Sequence, residues 1–311
     1  MVGWFVKMAD ERKKQFDSSK DVKNLYTINT LISDVISDPV FGTYGRLIFP
    51  VNPDYYSGST LGDLSLALYN NIDPDKTVEI VNYMHSHAEA GDVIFYNIYT
   101  DTEKATDSDK EDTGLFFFKG GSGERFAICN AGGSFVYVGA MHDSFPHALE
   151  LSQMGYNAFA LIYRPGWDNA CKDLARAISF IFEHADELEV DTDCYSLWGG
   201  SAGGNMVAYL GTRGSAYFGG DDLPRPGMCV IQYAGHTGYS ELDPPTYSCV
   251  GDSDGVANWQ IMQSRSDAMS ALGIPTKFHV FEGLQHGFGL GVGTAAEGWI
   301  NDAVAFWKAQ M

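Results

Sequence analysis

Basic residues are scarce in this sequence. Twenty lysines and arginines stand against forty aspartates and glutamates in 311 residues, a formal charge of −20. Nucleic acids and anionic membrane surfaces are polyanions and repel such a chain, so neither is expected as a partner. Long apolar runs are missing too. No stretch reaches about 18 consecutive apolar residues, so no membrane-spanning helix is expected. The apolar start, residues 1–8, is short and interrupted by Lys7, with Asp10 and Glu11 close behind. It does not read as a secretory signal, and cytoplasmic residence is the expectation. Cysteine is thin: Cys129, Cys171, Cys194, Cys229 and Cys249 are odd in number and far apart. That pattern is neither a disulfide framework nor the paired spacing of a zinc site. His85 and His87 alternate without a clear third ligand, so no metal is expected. Internal repeats and low-complexity tracts are absent.

What is present argues for a packed core. The sequence is 45% hydrophobic and 14% aromatic, and its 35 glycines imply many tight turns and close backbone approaches. The chain divides near residue 90. Before it the pattern is irregular: a polar stretch at 10–24, helical spacing over 25–36, turn-rich stretches at 41–45 and 52–58, and a second helix over 75–89. After it the pattern is regular. Strands are expected at 93–99, 114–119, 126–129, 158–163, 195–198, 228–233, 246–250 and 278–281. Helices fit at 145–154, 169–188, 202–210, 257–272 and 295–310, and the acidic run 101–112 reads as a solvated loop. Such alternation implies an α/β fold with a mostly parallel sheet covered on both faces.

The strongest chemical signal is G-x-S-x-G at Gly199, Gly200, Ser201, Ala202 and Gly203, between a strand and an amphipathic helix. A nucleophile elbow has this context: the serine sits on a sharp turn and small neighbours let the backbone pass closely. A serine hydroxyl is scarcely ionised near neutral pH and needs a base. His286 offers one, in a glycine-rich loop between the last strand and the last helix. A carboxylate must orient that base. Asp252 and Asp254 both follow the strand at 246–250, and Asp254 is preferred. The order Ser201, Asp254, His286 leaves 53 and then 32 residues between them, room for the intervening strands and helices. Donors for an oxyanion are expected from the backbone N–H of Ala202 and from the loop 129–135, where Gly132 and Gly133 let amides face a ligand.

These residues resemble the α/β-hydrolase superfamily, and within it the carboxylesterase branch related to the hormone-sensitive-lipase and acetyl-xylan-esterase families. The family's His-Gly-Gly-Gly-aromatic loop has its counterpart in Ala131-Gly132-Gly133-Ser134-Phe135, with alanine for the histidine and serine for the third glycine. The resemblance implies Gly133, Ser134 and Ala202 as oxyanion donors. Tyr163-Arg164 looks like the family's Tyr-Arg pair, and Gly251-x-x-Asp254 and His286-Gly-Phe-Gly look like its acid and base loops, a further reason to prefer Asp254. The likeness covers about residues 93–311, giving an expected catalytic domain over 91–311. Residues 1–90 are expected to be an N-terminal extension and a candidate cap. The aromatic stretch 41–62, with Tyr44, Tyr55 and Tyr56, fits either a pocket lining or packing against the outside of the sheet. The expected activity is serine-dependent hydrolysis of small carboxylic esters through an acyl-enzyme, with no metal or organic cofactor. Acetyl-xylan or feruloyl esterase action on plant-derived oligosaccharides is the alternative of the same fold. A non-catalytic ligand-binding protein on a hydrolase scaffold is the alternative of a different class.

Overall fold

The computed structural model describes residues 25–69 and 72–311. Eight strands form one sheet: β1 (Phe95–Tyr96), β2 (Gly114–Phe118), β3 (Glu124–Asn130), β4 (Asn157–Ile162), β5 (Val190–Gly200), β6 (Met228–Gln232), β7 (Thr246–Gly251) and β8 (Thr276–Phe281). Their spatial order is β1-β2-β4-β3-β5-β6-β7-β8. β2 runs antiparallel to both its neighbours, and every pairing from β4 to β8 is parallel. β2 and β4 are buried along their whole lengths, which is why they read as unbroken apolar runs rather than alternating ones.

Six main helices cover the sheet: α1 (Pro74–Glu89), α2 (Phe145–Gln153), α3 (Trp167–Glu183), α4 (Ala202–Arg213), α5 (Trp259–Ala271) and α6 (Trp299–Lys308). The start of α1 is set locally. The Asp73 carboxylate accepts from the N–H groups of Asp75 and Lys76, and Pro74 supplies a preset φ in the first turn. α6 returns to the centre of the sheet, where Trp299 and Trp307 pack on Trp198 of β5. No helix among the described residues is long and apolar enough to cross a membrane. All five cysteines are free.

Residues 25–69 are built differently. They hold one helical turn pair at Ile32–Ser37, a 3₁₀ stretch at Pro39–Leu47 and a two-residue ribbon of Tyr56–Ser57 with Ser65–Leu66. Phe41, Ile48 and Leu61 are nonetheless fully buried, in the same apolar cluster as the sheet residues. Two of the three tyrosines of stretch 41–62 stack on other aromatic rings. Tyr44 stacks on Phe95 of β1 with ring centroids 5.0 Å apart, while Tyr55 stacks on Tyr137 at 4.9 Å, in the loop after β3.

Three local expectations change. The helix expected over 25–36 exists only as Ile32–Ser37. Ahead of it, the Asn82 side chain pairs with both the N–H and the C=O of Tyr26 at 2.9 Å, so the carbonyl that a helix would use is engaged elsewhere. The acidic run 101–112 is not a plain loop: it carries a short helix, Asp101–Thr106, and a 3₁₀ turn, Ser108–Asp112. Thr100 and Glu103 form a reciprocal capping box that starts it. The strand expected at 93–99 pairs only as Phe95–Tyr96, at the sheet edge. The apolar start and the polar stretch 10–24 lie outside the described residues.

The register decides where chemistry can occur. Asn130 is level with Gly199, and Gly200 with Gln232, so β3, β5 and β6 end side by side. Parallel strands place all their carboxyl ends on one edge, and the loops leaving that edge share one crevice.

Candidate active site

β5 ends at Gly200 and α4 begins at Ala202, which leaves one residue to reverse the chain. That residue is Ser201, at φ 52° and ψ −116°. A non-glycine residue there costs on the order of 1–3 kcal/mol and persists only when its surroundings hold it. The hold is visible. Ser201 N–H donates to the Gln232 carbonyl at 2.9 Å. A Cβ on Gly203 would lie 2.0 Å from the Asn130 carbonyl oxygen, and one on Gly199 would lie 2.3 Å from the Gly203 carbonyl carbon. The glycines of the motif are therefore there for close approach.

His286 leaves the loop after β8 and reaches this turn. Its Nε2 lies 2.9 Å from Ser201 Oγ, and its Nδ1 lies 2.8 Å from Asp254 Oδ2. The Asp254 side chain is wholly buried, and its second oxygen accepts from the N–H groups of Val256 and Ala257, both at 2.7 Å. Both carboxylate oxygens are thus fixed and one faces the imidazole. A proton on Nδ1 satisfies the carboxylate and leaves Nε2 free to accept from the serine hydroxyl. Asp252, the other candidate, is exposed; its Oδ1 accepts from Gly283 N–H and Ser253 Oγ at 2.8 Å each. It ties down the turn that follows β8 and does not reach the imidazole.

The loop after β3 lies against the serine. A Cβ on Gly132 would come within 2.9 Å of Ser201 Cβ. Gly133, Ser134 and Phe135 follow with φ of 125°, 55° and 60°, three successive residues in left-handed backbone. Among the described residues, the N–H groups of Gly133 and Ser134 are spent on no other backbone or side chain. Ala202 is the first residue of α4, where an N–H has no intrahelical acceptor. The pairing of β3 with β5 brings these three residues to one place. Tyr163 donates to the Ala131 carbonyl at 2.6 Å and braces the loop where it leaves the strand. Its neighbour Arg164 is turned away, into a buried cluster with Asp173 and Tyr99.

Residues 125–225 match the BD-FAE family model, which describes an esterase family of the α/β-hydrolase fold. The acetyl ester-xyloside bifunctional hydrolase of Caldicellulosiruptor lactoaceticus superposes with a TM-score of 0.60 at 19% identity, over 69% of this chain and 95% of that one. This chain has the α/β-hydrolase fold. A sugar hydrolase from Lactococcus lactis matches at a TM-score of 0.55 and 18% identity, over 64% of this chain and 94% of its own. The propionate-bound esterase of Thermogutta terrifontis matches at 0.53 and 18%, over 65% and 90%. No curated protein matches the chain.

The α/β-hydrolase site also contains groups that local sequence patterns did not reveal. Asp143 is fully buried beside Ser201, with a side-chain exposure of 0%. Its Oδ2 accepts from Tyr69 Oη at 2.6 Å and from Gly132 N–H at 3.1 Å. Its Oδ1 accepts from Tyr233 Oη at 2.5 Å and lies 2.6 Å from His142 Nδ1. Burial pushes this carboxyl up, but the neighbouring His142 charge and the donated bonds of His142, Tyr233 and Tyr69 outweigh it and hold it well below the usual range. Burial, together with Asp143, pushes both tyrosine hydroxyls far up, so they remain donors. The one written hint is the His142-Asp143 pair, polar residues next to an otherwise apolar stretch. His85 and His87, the weak metal candidates, face different partners: His85 lies against the Tyr26 ring, and His87 Nδ1 is 2.7 Å from Asp92.

Proposed function

We propose that the protein hydrolyses small carboxylic esters through an acyl-enzyme on Ser201. One observation carries the reading: Ser201 Oγ, His286 Nε2, His286 Nδ1 and Asp254 Oδ2 stand in line at 2.9 and 2.8 Å, on a strained turn at the carboxyl edge of a parallel sheet. In the first step Ser201 Oγ attacks the ester carbonyl carbon while His286 Nε2 takes its proton. The carbonyl oxygen becomes an oxyanion, for which the N–H groups of Gly133, Ser134 and Ala202 are the assigned donors. Collapse breaks the bond to the leaving alcohol, which receives the proton from His286. Water then attacks the acyl-serine with the same base and releases the acid. Asp254 keeps the imidazole oriented and stabilises its cation throughout. No step calls for a metal or organic cofactor.

Residues 25–69 supply one wall of this site in the same reading, since Tyr55 lies on Tyr137 and Tyr137 Oη donates to the Ala67 carbonyl. A second substrate class, acylated sugars, draws support from two structural neighbours, an acetyl ester-xyloside hydrolase and a sugar hydrolase, and from Trp167. Trp167 is 40% exposed and its ring meets edge-on that of Tyr209 in α4, the helix that follows Ser201. An exposed aromatic surface suits the apolar face of a sugar ring.

The test is hydrolysis of p-nitrophenyl acetate by the native protein and by Ser201→Ala. Loss of the nucleophile should cost about 10⁴- to 10⁶-fold in kcat. Retained turnover in the variant would refute the assignment. Comparing p-nitrophenyl acetate with an acetylated xylo-oligosaccharide separates the substrate classes, and tight binding of either without turnover would favour a binding protein.

A further inference from the structure

We propose that Asp143 is the positioning residue of the oxyanion loop, and that Tyr69, supplied by the N-terminal segment, completes its hold on that loop. The inference rests on the reading of Ser201 as nucleophile and deepens it. A carboxylate offers about four lone-pair sites. All four of Asp143 are engaged, by Tyr69, Gly132, Tyr233 and His142. With none left over, Asp143 has no bond to offer a substrate, and its action must pass through the groups it holds.

Those groups belong to the loops that frame Ser201. Gly132 is the residue just before the two assigned oxyanion donors, and it abuts Ser201. Its N–H bond to Asp143 therefore sets the distance between the donors and the nucleophile. Tyr233 Oη, which donates to Asp143, also accepts from Gly289 N–H at 3.3 Å, in the loop that carries His286. One buried charge thus ties the oxyanion loop to the histidine loop. The net pull of its donors keeps Asp143 ionised throughout the pH range in which a neutral histidine base operates.

Tyr69 is the piece brought from outside the sheet. Its ring stacks on His142 at 4.1 Å and is 3% exposed. Three glycines make its room: a Cβ on Gly132 would lie 2.0 Å from its hydroxyl, and one on Gly287, next to His286, or on Gly139 would lie 2.9 or 3.0 Å from its ring. Both loops close onto this side chain. An N-terminal segment that merely covered the sheet would need no such fit.

The experiment uses the full chain with Asp143→Asn and Tyr69→Phe. It reads kcat and KM on p-nitrophenyl acetate, the rate of phosphonylation of Ser201 by a fluorophosphonate, and the melting temperature. Misplacement of reacting groups by about 1 Å costs roughly 100-fold. Asp143→Asn should lower kcat and the labelling rate by about that factor with KM little changed. Tyr69→Phe keeps the ring stack and loses one bond to a charged acceptor, so about 10-fold is expected in the same two readouts. A fall in melting temperature with kcat and labelling unchanged would make the cluster a structural fastener and overturn the proposal. Should Asp143→Asn fail to fold, Tyr69→Phe decides alone. Native protein that is labelled but hydrolyses no ester refutes the ester reading, and the labelling rates still judge the positioning. Equal labelling of native and variant proteins refutes the positioning and leaves the ester reading standing. A native Ser201 that is not labelled overturns both.

Discussion

Two aspartate–histidine pairs stand within the same crevice. Asp254 and His286 meet at 2.8 Å from loops 32 residues apart, while Asp143 and His142 meet at 2.6 Å as chain neighbours. Distance does not separate their roles. Surroundings do. The His286 side chain is 16% exposed and directs its second nitrogen at Ser201, whereas His142 is 4% exposed under the Tyr69 ring. Asp254 satisfies its other oxygen with two amides from its own loop, so its pair is self-contained and can serve a reaction. Asp143 draws donors from four segments, so its pair joins parts of the molecule. A buried, strongly perturbed carboxylate in a cleft is thus a pointer to a site without being the reacting group itself.

The comparison can be broken most severely at the Asp254–His286 pair. Asp254→Asn should lower kcat by about 10⁴-fold, because the imidazole loses the partner that fixes its tautomer. Asp252→Asn should leave kcat near the native value, and a large loss there would reverse the assignment of the acid. Next in size is Gly132→Ala, where the Asp143 cluster meets Ser201. The added methyl would meet the Tyr69 hydroxyl at 2.0 Å, the Asp143 carboxylate at 2.8 Å and Ser201 Cβ at 2.9 Å. A loss of about 100-fold in kcat is expected. Steady-state kinetics equal to native would mean the loop yields without consequence.

The smallest effect falls on stability alone. His147 is buried beside the Asp143 pair, and burial pulls its pKa down to about 4. In the unfolded chain a histidine titrates near 6.5. Between these values the unfolded state holds a proton that the native state lacks, so stability is full above about pH 6.5 and falls as pH drops towards about 4. The slope is about 1.4 kcal/mol per pH unit for each such group. His236, also pulled down to about 4 by burial, adds a second share. Urea unfolding of His147→Phe at pH 7, 6 and 5 should show a slope smaller by one such share. A slope as steep as native would assign the acid sensitivity to other groups.

The Asp254–His286 pair and its serine were legible because each is announced locally. A strand, a glycine turn and a helix surround Ser201, and single turns after β7 and β8 carry Asp254 and His286. The sheet was legible for the same reason, through its alternation of buried runs and amphipathic helices. The buried pair was not. Asp143 finds its donors 74, 11 and 90 residues away, at Tyr69, Gly132 and Tyr233, and no window of sequence contains them together. Tyr69 sits in a segment without periodicity, and its written trace is the missing side chains of Gly132, Gly139 and Gly287. The helix expected over 25–36 was lost to a partner 56 residues away, the Asn82 amide. In the acidic run, the capping box of Thr100 and Glu103 is masked by the density of charge around it.

Synthesis of the chain gives the elbow a further meaning. Ser201 is made 85 residues before the imidazole that bonds its hydroxyl. At translation rates of about 5–20 residues per second, the gap lasts roughly 4 to 17 s. Through that interval a nascent chain can present the serine on its strand, yet it has no base to sharpen it. The bonded Ser201–His286–Asp254 assembly arises only once the last sheet strand has left the ribosome, so arming of the proposed nucleophile is coupled to completion of the sheet.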